Sequence, residues 1–178
     1  MKKQIFSIIV ITLMMIPSSI FAQSDFNKLY QKYAGQDGFT SINISTDMFK
    51  FLNSMDMSDS SEDAKKTQNV MSQLEGLKML VYNKSEGHDG VDFYKEINDN
   101  LSLKNFVELM TVKDSDSDIK FLVKKSGKDS VSELLMIVKG EDEVLIMSMT
   151  GDIDMNTISD ISNSLNMKGM DKLDKLND

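Results

Sequence analysis

The chain has 178 residues, 40% hydrophobic and 27% charged, which suits one soluble domain with a single core. Twenty basic and 28 acidic side chains give a net charge of −8, and no Arg is present, so clustered cations for a nucleic-acid backbone and guanidinium clamps for phosphate are missing. The chain also has no Cys, which removes disulfides, thiol nucleophiles, iron–sulfur ligation and cysteine zinc sites.

The amino-terminal segment reads as a secretory signal peptide over residues 1–22. Lys2 and Lys3 precede the apolar run IFSIIVITLMMI, Pro17 to Ser19 break that run, and Ala22 ends the segment as a small residue before cleavage. The run is too short for a bilayer-spanning helix, which needs about 20 residues. With no Cys at the cleavage site, a lipid anchor is not expected. Loss of Lys2 and Lys3 leaves 18 bases against 28 acids, a net charge of −10, which also speaks against adhesion to an anionic membrane.

The next residues predict one domain over 23–165. Phe26, Leu29, Tyr30 and Tyr33 have helical spacing, so 24–34 reads as a helix ended by Gly35 and Gly38. FTSINIS (39–45) alternates as a strand, with Ile42 and Ile44 on one face. Thr46 or Asp47 caps a second helix with Met48, Phe51, Leu52 and Met55 inward. SMDMSDSSED (54–63) is a polar linker. A third helix from Glu62 has Val70, Met71 and Leu74 inward and closes at Gly76. GLKMLVYN (76–83) is a strand, KSEGHDG a loop, and 91–101 a helix with Val91, Tyr94, Ile97 and Leu101 inward.

The second half changes to strands. NFVELMTVKD, DIKFLVKKS, VSELLMIVKG and EVLIMSMTG are separated by DSDSD, GKD and GED, connectors too short for parallel returns. They predict an antiparallel meander. Ile119, Phe121 and Val123 point one way, Lys120 and Lys124 the other. The more continuously apolar third and fourth strands belong at the centre, covered on both faces or nearly so. A helix over 155–165 follows, with Met155, Ile158, Ile161 and Leu165 on one side, then a polar and amphipathic tail, 166–178. The fold class is α+β: a single largely antiparallel sheet with a four-strand carboxyl-terminal meander and helices packed mainly on one face. The positions of the two early strands are left open.

Candidate chemistry is sparse. Asp152, Asp154, Asn156 and Asp160 crowd one stretch, but a calcium loop starting at Asp152 would place Thr157 where Gly is needed and Asn163 where the closing Glu is needed. Capping explains the stretch better. Asp154 or Thr157 can cap the helix, and Thr157 with Asp160 has capping-box spacing. DSDSD (114–118) fails the calcium pattern in the same way, with Ile119 and Lys125 at those positions. His88, the only histidine, lies in the loop EGHDG beside Asp89 and three residues from Ser85, without a nucleophile elbow. The twelve methionines after residue 22, among them Met48, Met71, Met110 and Met136, read as core filling. An adaptable Met-rich surface for lipid or peptide is the alternative. No catalytic, cofactor-binding or metal residue is assigned.

A first helix ending in Tyr, the strand INIS, GLKMLVY, ELMTVKDSDSDIKFLVKK, SELLMIVKG and MSMTGDIDMNTISDI together resemble the bacterial family called domain of unknown function 4252, over about residues 24–165. The resemblance implies an exported periplasmic protein of a two-membrane bacterium and a structural corner at GDID. It carries no activity, cofactor or catalytic residue. Some relatives bear a lipoprotein cysteine, which this chain lacks. The expected function is a non-enzymatic binding or interaction module of the cell envelope, periplasmic or extracellular. An envelope protein, peptide or lipid would be its partner; no transmembrane segment is expected after processing. The alternative, a hydrolase, calls for at least two convergent carboxylates of raised pKa in one pocket.

Overall fold

The computed structural model describes residues 24–54, 61–86, 91–128 and 130–158. The segment read as a signal peptide, residues 55–60 of the predicted linker, His88, Asp89, Asp160 and the tail lie outside the described residues. Element order is α1 (Asp25–Tyr33), β1 (Phe39–Ile44), α2 (Thr46–Ser54), α3 (Glu62–Gln73), β2 (Leu74–Asn83), α4 (Phe93–Asn100), a 3-10 turn (Leu103–Asn105), β3 (Val107–Lys113), β4 (Asp118–Lys125), β5 (Ser130–Lys139) and β6 (Glu143–Asp154). Residues 155–158 begin a further helix.

All six strands form one antiparallel sheet in the order β1-β2-β6-β5-β4-β3. The predicted meander is present, with β5 and β6 at the centre. The two early strands join as a pair at the β6 side. Gly35 and Gly38, at φ 82° and 77°, make the turn after α1 in the left-handed region that glycine favours.

Helices cover both faces, which corrects the expectation of a mainly one-sided layer. On the first face, Phe26, Leu29 and Tyr33 of α1 and Phe93 and Ile97 of α4 pack on Leu80, Tyr82, Leu122, Leu135, Ile137, Val144 and Ile146. Rings of Tyr33, Phe39, Tyr82 and Phe93 cluster there, with Tyr33–Phe39 and Phe39–Tyr82 centroids both 4.7 Å apart. Tyr33 donates its hydroxyl to Glu96 at 2.8 Å, and Lys32 donates to the same oxygen at 2.7 Å, tying α1 to α4. On the second face, α2 packs on α3 and β2, and α3 on β6. Phe49 and Ile158 join Phe121, Val123, Leu134, Met136, Met147 and Met149 there. The reason for two layers is the strand interior itself. LLMI of β5 (134–137) buries consecutive residues, so apolar side chains leave both faces and each needs a cover.

Two helix faces differ from the spacing argument. In α2 the buried residue is Phe49, whereas Met48 is 46% and Phe51 58% exposed. Ser45, one residue earlier than predicted, is the cap: its side-chain oxygen accepts from the Met48 N–H. In α4 the Asp92 side chain accepts from the Lys95 N–H at 3.0 Å, so the helix starts at Phe93. Val91 is left outside, and Phe93 and Ile97 turn inward. Tyr94 is half-buried and donates to Asp118 at 3.1 Å, with Lys120 and Lys139 against its ring. Gly76 does not close α3. The helix runs into β2 at Leu74 without a linker, and Gly76 sits inside the strand.

Candidate functional site

The acidic stretch after Met149 lies in a strand, not a loop: β6 continues through Asp154. Asp154 then caps the helix that follows, accepting the Thr157 N–H on Oδ1 at 2.7 Å. Its other oxygen accepts Gln73 Nε2 at 2.8 Å, and its own N–H donates to Gln73 Oε1 at 2.8 Å. Thr157 is buried and accepts from Asn69 Nδ2 at 3.3 Å. Both oxygens of Asp154 are thus engaged by the fold, as a capping role requires. Asp152 is exposed, and among the described residues no group of three or more His, Cys, Asp or Glu is placed to hold a metal ion.

The Thr157 N–H, and after it Gln73, hold the Asp154 carboxyl below the ordinary aspartate range. A depressed folded-state value means stability that is present above the unfolded value, about 3.9, and is lost as pH falls through the folded one. Asp154→Ala is therefore expected to cost about 2 kcal/mol at pH 7. Part of the acid-limb slope of the wild-type thermal melt should disappear in the variant. Adding calcium should leave the wild-type melt unchanged; a calcium-induced rise lost in the variant would contradict the capping role.

DSDSD forms the β3–β4 turn as expected, where Asp114 Oδ1 accepts the N–H groups of Asp116 and Ser117 at 2.9 and 2.8 Å. Ser85 hydrogen-bonds Asn83 locally. A cleft of about 240 Å³ between α1, the 3-10 turn and the sheet contains Asp25 and Glu133. Glu133, 6% exposed, accepts from Ser148 Oγ at 2.7 Å, while Lys28 and Ser102 lower the Asp25 carboxyl. The lowered Asp25 carboxyl is the reverse of the raised value that a hydrolytic acid calls for.

The register exposes a larger feature. Cross-strand neighbours on the first face run Phe39, Tyr82, Val144, Lys139, Asp118, Lys113, turning polar toward β3. On the second face every row stays largely apolar across all six strands. One row is Ile44, Leu77, Met149, Leu134, Val123, Val107. The next is Ile42, Met79, Met147, Met136, Phe121, Met110. The last is Thr40, Val81, Leu145, Val138, Ile119, Val112. Within the first two rows Leu134, Val123 and Phe121 are deeply buried. In the last row Val81, Leu145, Val138, Ile119 and Val112 are all only half-buried. Five adjacent strands thus present a half-buried apolar strip beside the methionines of the neighbouring row. Met136 and Met110 lie in the sheet as expected of core filling, yet Met79 and Met110 are partly open at its border.

Hairpin turns border this strip. They carry Asp114, Asp116, Glu141 and Asp142, and an open hollow of about 530 Å³ between them is also lined by Lys84 and by the first-face residues Lys113, Asp118 and Lys139. The strip escaped a reading by elements because its members come from five strands. Its signal was nonetheless in the turns: Val112 and Ile119 flank DSDSD, and Val138 and Leu145 flank GED.

The family model of domain of unknown function 4252 matches residues 30–161, a range that takes in every strand and the capped corner. The chain belongs to the DUF4252 family. This DUF4252 chain matches no curated protein and no solved structure. Among its described residues no helix is long and apolar enough to cross a membrane, which says nothing of a β-barrel. For the DUF4252 sheet, the match places the open strip inside the family's own extent.

Proposed function

We propose that the protein is an exported, non-enzymatic binding module of the cell envelope, which takes the apolar side of a basic amphipathic helix on its open sheet face. The single observation that carries this reading is the half-buried row Val81, Leu145, Val138, Ile119 and Val112. Contiguous apolar surface of this kind marks interaction sites. Across its five strands the row runs about 19 Å, the length of a helix of about 13 residues. Helices α2 and α3 already lie on this face, so a partner helix extends an existing layer. The acidic turns along the strip favour a partner with basic flanks, and the methionines of the neighbouring row can adapt to its side chains. Export is supported by the layout of residues 1–22, which has the form of a signal peptide.

The test is calorimetric titration of the processed protein with a basic amphipathic helical peptide, an acidic one of equal apolar face, and a long-chain fatty acid. The basic peptide should bind one per chain and weaken as salt is raised. Binding of the fatty acid alone would replace the helix by a lipid. No binding by any of the three, with turnover of an ester, phosphate or glycan panel, would reverse the reading in favour of a hydrolase.

A further inference from the structure

The sheet has two edges, and they are built differently. At β3 the pairing with β4 shifts between Glu108 and Met110, a bulge at Leu109, and the strand carries Glu108 and Lys113. Bulges and charges are the devices that keep an edge from pairing with another strand. At β1 the pairing with β2 runs unbroken from Phe39–Tyr82 to Ile44–Leu77. The strand has no charged residue, no Pro and no bulge, and Thr40, Ser41, Ile42 and Asn43 are exposed in succession. Residues 38–46, GFTSINIST, are the longest run without a charged side chain after residue 22. In a chain of net charge −8, this is where a second acidic chain can approach without local repulsion.

The outward peptide groups can be identified. The Gly38 carbonyl accepts the Asn83 N–H at 2.9 Å, so Gly38 and every second residue after it face β2. The peptide groups of Phe39, Ser41 and Asn43 therefore point away from the sheet. The Phe39 N–H is taken by the Gln36 carbonyl, leaving Ser41 and Asn43 as outward donors and Phe39, Ser41 and Asn43 as outward acceptors.

We infer that β1 pairs antiparallel with β1 of a second copy, joining two sheets into one of twelve strands. A two-fold axis normal to the sheet requires opposed residues to share a face, so their numbers share parity. Of the two central registers, the one through Ile42 sets Asp37 opposite Asp47 of the second copy. The one through Ser41 avoids this, placing Ser41 opposite itself, Phe39 opposite Asn43 and Thr40 opposite Ile42. In that register Ser41 donates to Ser41 of the second copy and Asn43 to Phe39, each twice by symmetry. The same axis keeps like faces together, so the apolar row continues through Thr40 into the second copy. Pairing at β1 does not depend on the helix-binding reading.

The absence of cysteine makes the test direct. Opposed residues in a hydrogen-bonded antiparallel pair lie about 5.5 Å apart at Cα, within disulfide reach. The processed wild-type protein should have twice the chain mass by light scattering. Ser41→Cys should cross-link to a dimer on mild oxidation, and Asn43→Cys, four residues from its own symmetry mate, should not. Ser41→Pro removes an outward donor while sparing the β2 ladder, and should yield a folded monomer by circular dichroism. Single-chain mass at every concentration, or cross-linking by Asn43→Cys as fast as by Ser41→Cys, would overturn the inference. Val107→Lys at the other edge should leave the dimer intact.

Discussion

Gly151→Ala is expected to destabilise the fold by about 3 kcal/mol, lowering the melting temperature by about 10 °C. A Cβ built on Gly151 falls 2.0 Å from the Gln73 carbonyl oxygen, 3.0 Å from its carbon and 3.1 Å from the Leu74 Cα. These are backbone atoms at the point where α3 becomes β2 with no intervening turn. The register confirms how tight the join is: Leu74 pairs with Gly151, and the ladder shifts before Gly76 pairs with Thr150. A methyl at Gly151 must push the end of α3 off the sheet. The same movement drags Gln73 away from Asp154, breaking both hydrogen bonds of the corner and loosening the cap of the last described helix. Gly76→Ala is the control. Its Cβ meets only the Thr150 hydroxyl at 3.0 Å and the Ile44 carbonyl at 3.8 Å, and the hydroxyl can rotate away. Its effect should stay within about 1 kcal/mol. Equal losses from the two variants, by chemical denaturation, would show that the α3–β2 contact is not what demands glycine.

How much of this was legible beforehand depends on where the information lies. The hairpins were, because DSDSD and GED allow only antiparallel returns and fix which strand interiors meet. The cap was half legible: Asp154 was one of two named candidates, but its lock to Gln73 spans 81 positions of sequence and no local pattern marks it. Helix faces failed where apolar residues were too many. Met48, Phe49, Phe51 and Leu52 offer two stripes, and contact with β2 and α3, not spacing, selects Phe49. In α4 the register was set by Asp92, whose capping moves the helix start past Val91. The layer of each helix was not legible, since the direction of a crossover depends on the positions of β1 and β2. Yet the unbroken apolar runs of β5 and β6 already required cover on both faces. The open strip followed only when the six registers were laid side by side.

Val81→Thr, Ile119→Thr and Val138→Thr combined are expected to weaken binding of the basic amphipathic helix about a hundredfold. Each substitution exchanges a methyl or ethyl group of the strip for a hydroxyl while keeping the β-branched shape that suits a strand. The three positions lie in one row on β2, β4 and β5, and each side chain is half-buried in the free protein. The hydroxyls therefore reach water until a partner covers them. Desolvating three such groups and losing the apolar area forfeits about 1 kcal/mol per position, and 1.4 kcal/mol is tenfold in affinity. Folding should change far less, because Leu134, Val123 and Phe121 in the buried rows are untouched. The matched substitution on the opposite face, Lys120→Thr beside Tyr94, should leave the affinity where it was. If the triple variant binds the peptide as the wild type does, the helix sits elsewhere. The exposed Met48–Phe51 stripe of α2 then becomes the surface to alter, with Phe51→Ser the first change to make.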